Sequence, residues 1–333
     1  LYWLSQTPSE WGSGKYFTQT ADIDAAVTTL LDNGSGLSPI GNNSSNFKGV
    51  YDGGGHVISN LYINRPTADY VGMFGKTRSA VIKNLGLDNA SIKGYELVGG
   101  LVGYDFYEST ITGCFTRGSV ESVYRHTGGI VGKAYSTSIS DCYSGATVKS
   151  GSGYQGGLVG SAWGFNGLPT SITNSYSTGL INDGVTAGII AGGMVGREMV
   201  TSNNPAALTV VGSFWDTEAS GQANSAGGAG KTTSEMQVAS LYTNAGWSTG
   251  IWNLADGSYP TLKPPAAPNN APTGLALSNA GVAENEAVGT VVGTFSTTDD
   301  DTGDTHTYTL VSGTGDTDNS SFTIDGETLK TAA

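Results

Sequence analysis

The sequence is poor in the residues on which several common classes of protein depend. Its 333 residues include 15 Lys and Arg against 28 Asp and Glu, three His and two Cys. The net charge of −13 and the lack of a Lys or Arg cluster argue against a nucleic-acid backbone or an anionic membrane as partner. No apolar run approaches the roughly 18 residues that cross a bilayer, so no membrane span is predicted. His56, His126 and His306 are scattered, which argues against a zinc site or a triad.

Glycine is abundant, with 51 residues, and Ser, Thr and Asn are frequent. This composition is typical of short strands and tight turns, because glycine adopts positive φ without steric cost. Hydrophobic residues make up 38% of the chain, which is enough for a core, and long helices are not expected. Residues 264–333 carry ten acidic residues and one basic residue, Lys330. The C-terminal part is therefore predicted to be a separate, acidic domain.

A short glycine-bounded apolar segment returns five times at near-constant spacing. The copies end at Gly75, Gly103, Gly132, Gly160 and Gly196, so the steps are 28, 29, 28 and 36 residues. The longest step contains SAWGFNGLP (161–169), whose Gly and Pro indicate a loop that bulges from one coil. A fixed period in this range indicates stacked supersecondary units, each unable to bury its apolar face alone.

A second set of recurring residues supports the period of the glycine-bounded segments. Isoleucines and then aromatic residues follow the glycine anchors at similar distances: Ile82, Ile111, Ile139 and Ile172, then Phe115, Tyr143, Tyr176 and Phe214. Stacked parallel strands produce such equivalence, since each residue lies about 4.8 Å above its counterpart. We predict an all-β fold, a parallel β-helix with about 28 residues per coil, and a right hand because parallel crossovers overwhelmingly have that hand.

Cys114 and Cys142 are one period apart and are predicted to be vertical neighbours. Their Cα spacing would fall within the range of a disulfide, whereas the Cβ geometry of in-register strands is poor for one. Two alternatives stay open: the cysteines are buried free thiols that act as small apolar residues, or they form a disulfide bond with each other.

The chain divides into five predicted segments, because a solenoid exposes an unpaired edge at each end and needs caps. We assign residues 1–46 as an N-terminal cap, 47–215 as the β-helix, 216–262 as a C-terminal cap, 263–272 as a Pro-rich linker and 273–333 as a strand-rich domain. In the C-terminal cap, Thr232 and Glu235 form a capping-box pattern that predicts a helix to about Tyr242. Trp247 and Trp252 then predict an apolar lid.

Residues 38–262 resemble the GLUG repeat family, named for a Gly-Leu-hydrophobic-Gly core. The resemblance rests on the glycine anchors, on FKGVYDGGGHVISNLYI (47–63), and on SFWDTEASGQ, KTTSEM and YPTL within 213–262. It implies a large secreted or surface-attached bacterial protein, often an adhesin, and no single reaction. We therefore expect an extracellular or cell-surface location, and we interpret the start at Leu1 as that of a processed or excised piece.

Residues 268–333 resemble an incomplete cadherin-like repeat, and this resemblance implies calcium. The residues that match the family's ligands are Asn269, Asn270, Glu284, Asn285, Asp299, Asp301, Asp318 and Asn319. Oxygen atoms of this kind are the ligands that Ca²⁺ takes. The alternative is a solvated acidic surface.

The predicted C-terminal domain is short for that family, which usually has seven strands. GLALS, GTVVGTF, HTYTLVSG and SFTIDGETLKT predict about four strands of a partial β-sandwich. Either the chain has been cut, or another molecule supplies the missing strands. Strand donation would give homo-oligomers by strand addition.

Two segments match catalytic patterns and are interpreted as structural. GWSTG (246–250) has the pattern of a nucleophile elbow around Ser248 but lies between the two lid tryptophans. GSGYQG (151–156) has the pattern of a dinucleotide fingerprint without the βαβ context, and is predicted to be a coil corner.

The predicted function is structural and adhesive: a β-helical stalk joined to a calcium-binding module, with a cell-surface glycan or a neighbouring surface protein as partner. The second hypothesis is a β-helix that binds or cleaves polysaccharide, since glycosidic chemistry needs paired carboxylates. Its candidates are Glu96, Asp105, Glu108 and Glu121, with Tyr104, Tyr107 and Tyr124 as platforms for sugar rings. The third is a self-assembling extracellular fibre subunit. We expect a protein that is not an enzyme, with a polysaccharide lyase or hydrolase as the alternative.

Overall fold

The structure, a computed structural model, describes residues 1–182, 189–201, 207–265, 271–299 and 304–332. It divides into two compact units, Leu1–Pro265 and Ala266–Ala333. The first unit is a parallel β-helix, as the repeat predicts, and the second contains a small antiparallel sheet. The right hand of the coil stays a prediction.

Four parallel sheets form the β-helix, and we name them after the residues that recur in them. The isoleucine sheet comprises Tyr16–Thr18, Val50–Asp52, Val81–Lys83, Thr110–Thr112, Ser138–Ser140, Thr170–Thr173 and Leu208–Val211. The aromatic sheet comprises Ile23–Asp24, Val57–Ser59, Tyr62–Arg65, Gly86–Gly94, Phe115–Ser122, Tyr143–Ser144, Thr147–Ser150, Tyr176–Ser177, Ile181–Asn182, Phe214–Asp216 and Ala229–Lys231. The glycine sheet comprises Val98–Gly99, Thr127–Gly128, Gly153–Gly156 and Ile189–Gly192. The valine sheet comprises Phe74–Thr77, Val102–Asp105, Val131–Tyr135, Val159–Trp163 and Val195–Met199.

Apolar ladders fill the interior of the coil. In the isoleucine sheet the predicted register is confirmed, because Ile82, Ile111, Ile139 and Ile172 are successive Cα partners. In the valine sheet Val102, Val131, Val159 and Val195 are partners in the same way. All eight side chains are buried. One coil alone would leave them in water, so their burial, worth about 25 cal/mol per Å², makes stacking favourable.

A left-handed corner joins the isoleucine sheet to the aromatic sheet in five coils. Its residues have φ between 47° and 62°: Asn84, Gly113, Asp141, Asn174 and Gly212. Glycine, and the short polar Asn and Asp, adopt this conformation at the least cost. The chain turns at the same place in each coil because the sequence supplies one of these three residue types there.

The two cysteines are free and buried. Each thiol lies near a backbone carbonyl of its own coil: Cys114 Sγ is 3.3 Å from the Thr112 oxygen, and Cys142 Sγ is 3.1 Å from the Ser140 oxygen. Burial raises the pKa of the Cys142 thiol well above its usual range, with further contributions from the adjacent Cys114. The structure therefore has the first of the two predicted alternatives, buried free thiols that act as small apolar residues, and not a disulfide bond.

The helices among the described residues are short. Tyr2–Ser5, Thr217–Ser220, Thr233–Met236 and Ala239–Asn244 are α-helices, and Pro8–Glu10, Ala26–Leu30, Asp32–Gly34 and Asn319–Ser321 are 3-10 helices. The predicted capping box at Thr232 and Glu235 is confirmed. The single helix predicted from it is wrong, because that helix ends at Met236 and a second one begins at Ala239.

The segment predicted to be an apolar lid packs on the outer surface of the aromatic sheet. The Tyr176 ring lies 6.2 Å from that of Trp247 and 6.0 Å from that of Trp252, and its hydroxyl donates to the Pro260 oxygen at 2.6 Å. Trp252–Asn253 pairs with Thr261–Leu262 in a two-stranded antiparallel sheet that closes this segment. The lid therefore covers the aromatic ladder from the side.

The C-terminal unit has four described strands in one antiparallel sheet, in the order Gly274–Leu277, Val291–Thr298, Thr328–Thr331 and Phe322–Asp325. The prediction of a strand at HTYTLVSG is wrong. Tyr308 of that segment contacts the sheet through its side chain, with its ring 5.0 Å from Phe295 and its hydroxyl 2.8 Å from that of Thr297. The cadherin-like resemblance stays a prediction.

Asp105 is a buried carboxylate that connects three coils. Its Oδ1 accepts hydrogen bonds from Thr77 Oγ1 at 2.8 Å and Ser109 Oγ at 2.5 Å, and its Oδ2 accepts one from Thr137 Oγ1 at 2.7 Å. The side chain is fully buried, so the interpretation of Asp105 as a carboxylate of a surface groove is wrong. Burial raises the pKa of Asp105, and the hydroxyl donors act against that rise.

We predict that Asp105→Asn changes how stability depends on pH. The pKa in the folded protein is raised above the ordinary value of 3.8, so the native state binds the proton more tightly than the unfolded chain does. This contribution is fully present below the unfolded pKa and is lost as the pH rises through the folded pKa. The free energy of unfolding of the wild type relative to Asp105→Asn should therefore increase between about pH 7 and about pH 4.

Denaturant unfolding of both proteins at several pH values measures this difference. Asp88→Asn, at a half-exposed carboxylate on the aromatic sheet, is the matched control and should not show the same trend. A difference between wild type and Asp105→Asn that is constant over the whole pH range would contradict a raised pKa.

Candidate functional site

Two ladders of large side chains run along the outside of the valine sheet. The first contains Lys76, Tyr104, Lys133, Ser161 and Arg197, which are successive Cα partners. The second contains Phe106, Tyr135, Trp163 and Met199, with Arg78 at the matching position of the first coil. We call the aromatic and basic members of these ladders the cation–aromatic face: Lys76, Arg78, Tyr104, Phe106, Lys133, Tyr135, Trp163 and Arg197.

The cations of this face lie over its rings. Lys76 Nζ is 5.3 Å from the centroid of Tyr104 and 4.9 Å from that of Phe106. Lys133 Nζ is 5.0 Å from the centroid of Tyr104 and 4.3 Å from that of Trp163. Such contacts contribute roughly 0.5–2 kcal/mol each, depending on solvation. Two ammonium groups therefore share the ring of Tyr104.

The rings of the second ladder also contact one another. The Phe106 and Tyr135 rings are stacked, with centroids 6.3 Å apart, and the Tyr135 and Trp163 centroids are 6.2 Å apart. Phe165, on the loop that bulges at 161–169, lies 5.7 Å from Tyr135. The bulge predicted from the long repeat step therefore extends this aromatic surface.

A strained turn borders the face on the side of the glycine sheet. Tyr70, Leu97 and His126 occupy this turn in three successive coils with φ of 59°, 60° and 62°. Bulky residues rarely adopt this conformation, and such strain is concentrated at functional positions. The turn brings the Tyr70 ring to 6.0 Å from Tyr104.

His126 links this turn to the first ladder. Its Nδ1 lies 2.6 Å from Ser161 Oγ, and its ring is 5.1 Å from that of Tyr154. Burial, with the charges of Lys133 and Arg125, lowers the pKa of His126 to about 3. The imidazole is therefore neutral at physiological pH and takes part in packing and hydrogen bonding.

The face is cationic within an acidic protein. Ion pairs among the described residues join eight basic residues to carboxylates, and none of these pairs involves Lys76, Arg78, Lys133 or Arg197. Burial lowers the pKa of Lys133, and the charges of Arg125 and Lys76 lower it further, against the opposite effect of Glu96. The arrangement holds like charges together, as a site for an anion does.

The carboxylates that the sequence suggested for catalysis lie apart. Glu96 Oε1 accepts from Arg125 Nε at 2.7 Å at the border of the face. Glu121 pairs with Lys93 at 3.0 Å on the aromatic sheet, and Glu108 is exposed at a left-handed turn. With Asp105 buried, the four do not form the pair that glycosidic chemistry needs.

Of the three tyrosines suggested as platforms, only Tyr104 belongs to the cation–aromatic face. Tyr107 contacts Phe165 with centroids 5.6 Å apart. Tyr124 stacks on Tyr95 at 5.8 Å, with the Arg125 guanidinium 4.9 Å from its centroid.

Ser161, His126 and Glu96 resemble a triad in composition only. His126 Nε2 lies 3.8 Å from Glu96 Oε1, beyond hydrogen-bond distance, and Ser161 is completely buried. Ser248 of GWSTG lies in the lid segment, where its Oγ accepts from the Gly250 backbone N–H. The prediction that GSGYQG is a coil corner holds only for residues 151–152, because Gly153–Gly156 is a strand of the glycine sheet.

Of the predicted calcium ligands, Asn269, Asn270 and Asp301 lie outside the described residues. Asn319 donates from its amide to the Val311 oxygen at 2.9 Å, and Asp318 precedes the 3-10 helix Asn319–Ser321. Asp299 Oδ2 lies 3.9 Å from His306 Nε2. Glu284 and Asn285 lie in an exposed turn. Within the described ranges no three Asp, Glu, His or Cys side chains come close enough to hold a metal.

The cations of the face were missed from the sequence, although a signal was present. Lys76, Tyr104, Lys133, Ser161 and Arg197 each come directly after the last glycine of a repeat segment. The position after the anchor is thus polar or aromatic in all five copies. Reading that column would have placed these side chains on one outward ladder.

Comparisons with known proteins agree with the repeat. Residues 124–149 match the GLUG motif. Halomucin from Haloquadratum walsbyi is 42% identical over 119 residues, which are 34% of this chain and 1% of that protein. A "Putative Gly-rich membrane protein" from Evansella cellulosilytica is 37% identical over 100 residues, which are 28% of this chain and 11% of that protein.

A crystal structure described as a "putative immunoglobulin A1 protease" from Bacteroides ovatus aligns with a TM-score of 0.48 and 20% identity, over 78% of this chain and 89% of that one. In the described part of the chain, no helix has the length and apolar character needed to cross a membrane. The chain thus spans a small fraction of the two curated relatives it resembles, and it carries a GLUG motif within a parallel β-helix.

Proposed function

We propose that the chain is a structural and adhesive segment of an extracellular surface protein. The β-helix is a stalk that displays the cation–aromatic face, and this face makes the adhesive contact with a glycan. The observation that carries the proposal is the pair of outward ladders of rings and of cations without ion pairs among the described residues, with Arg78, Phe106 and Arg197 exposed, on an acidic protein. Such a surface is suited to binding, whereas the dispersed carboxylates are unsuited to cleavage.

The scaffold suits this role because its hydrophobic core lies inside the coil, apart from the outward side chains of the face. Ladders of buried aliphatic side chains hold the coils together, and the lid covers the aromatic sheet. The outward positions of the valine sheet are therefore available for recognition. The similarity to Halomucin and to a Gly-rich membrane protein supports a surface location.

Calcium binding in the C-terminal unit is proposed on the chemistry of its oxygen donors. Glu284, Asp299 and Asp318 supply carboxylates, and Asn285 and Asn319 supply amide oxygens. Ca²⁺ takes six to eight oxygen ligands, so the bound ion would neutralise part of the acidic charge of this unit and stiffen it.

We predict that beads coated with the chain are retained under flow on at least one immobilised polysaccharide. The physical reason is the multivalent contact between many copies of the face and a repeating polymer. Beads coated with heat-unfolded chain are the control, and reducing-sugar release from the same polymers measures cleavage. Retention without cleavage is expected. Lack of retention on every polymer, or turnover of a polymer, would contradict the proposal.

We predict that millimolar calcium gives a binding heat in titration calorimetry, because the acidic unit supplies the ligands. Asp299→Asn combined with Glu284→Gln should remove that heat. Asp325→Asn is the matched control, since Asp325 pairs with Lys330 in the same unit and is not among the proposed ligands. Wild-type protein that gives no heat would rule the site out.

A further inference from the structure

We propose that the cation–aromatic face binds an acidic polysaccharide that runs parallel to the axis of the β-helix. This inference rests on the proposed adhesive function, and it adds the chemical class of the ligand and the residues that contact it. Carboxylate and sulfate groups on sugars share the relevant chemistry, which is an anion attached to a ring with apolar C–H faces.

The spacing of the cations favours a repeating anion. In the first ladder Lys76, Lys133 and Arg197 are separated by one intervening coil each time. Successive strands lie about 4.8 Å apart, so these positions recur at roughly 9 to 10 Å. That distance is close to the length of two linked sugar rings. A polysaccharide with one acid group per disaccharide would therefore place an anion near the accessible cation of each of these coils, which in the coil of the buried Lys76 is the exposed Arg78.

The aromatic rings that lie near the cations are suited to packing against the sugar rings of the polysaccharide. Phe106 and Phe165 expose 37% and 39% of their surface, although burial would be favourable for both. Aromatic faces pack against the C–H faces of sugar rings, and they lose little conformational entropy on binding because few torsions must be fixed. The second ladder thus supplies apolar contact beside the charges of the first.

The face is already ordered before any ligand binds. Tyr104 lies between Lys76 and Lys133, and Lys76 Nζ also donates to Asn43 Oδ1 at 2.8 Å. Lys76 is only 9% exposed, so it supports the rings, and the exposed Arg78 is the cation that a ligand meets at that coil. Preorganisation of this kind lowers the cost of binding.

The net charge of −13 restricts where a polyanion can bind. A general affinity for polyanions needs a broadly basic surface, whereas here four cations without ion pairs among the described residues lie on one face. A polymer without sugar-ring contacts, such as polyphosphate, would use the charges only. The proposal therefore predicts a preference for acidic polysaccharide over polyphosphate and over neutral dextran.

The test is the affinity of the whole chain for hyaluronan, dextran sulfate, neutral dextran and polyphosphate. The main variant is Arg78→Gln combined with Arg197→Gln, because both side chains are exposed and folding should be unaffected. We expect its affinity for the acidic polysaccharide to fall by at least about ten-fold, as the loss of one charge-assisted contact implies. Phe106→Ala should weaken the same binding without changing net charge.

Lys149→Gln combined with Lys263→Gln is the matched control, since both lysines are exposed, lie on the aromatic sheet and in the lid segment, and give the same net charge as the main variant. Its affinity should equal that of the wild type. Equal losses in the two double variants, equal binding of neutral dextran, or tighter binding of polyphosphate would each overturn the inference. Adhesion of coated beads to neutral polymers alone would overturn it while leaving the adhesive function intact.

Discussion

The β-helix depends on glycines that occupy positions where no side chain fits. A Cβ atom on Gly99, Gly128, Gly156 or Gly192 would overlap the carbonyl oxygen of Val102, Val131, Val159 or Val195, respectively. The glycine sheet and the valine sheet can therefore meet closely at this corner of each coil. The same close approach brings Tyr70, His126 and Tyr154 next to the outward ladder. The corner between the glycine and valine sheets, which sets the period of the repeat, therefore also forms one border of the candidate site.

The register of the coil could be predicted from the sequence because each glycine is required by backbone contact. Substitution is excluded there, so the spacing is preserved and the period equals one coil. That period also predicts that the isoleucines of successive coils pair with one another. The strand predicted at HTYTLVSG shows the opposite case, since the alternation of its side chains fits a strand while Tyr308 contacts the sheet through its side chain.

The candidate site was less accessible to sequence reasoning. The sequence predicts a surface carboxylate at Asp105, because nothing local shows that Thr77 and Thr137, from the coils on either side, supply hydroxyl groups to it. Paired carboxylates are a known requirement of glycosidic chemistry, whereas isolated lysines and arginines in a sequence indicate no particular site. The cations are identified through the register, which places Lys76 and Lys133 on either side of Tyr104.

The glycine corners, and not the glycine content as such, hold the coil together. Gly128→Ala and Gly145→Ala test this directly, because a Cβ at Gly128 would meet backbone atoms, while at Gly145 its nearest neighbours are side-chain atoms at 3.7 Å. The measurement is the free energy of unfolding of each variant. We expect Gly128→Ala to lower the free energy of unfolding by on the order of 1–3 kcal/mol or more. For Gly145→Ala we expect no loss, or a gain of a few tenths to about 1 kcal/mol. Equal effects of the two substitutions would contradict this role of the glycine corners.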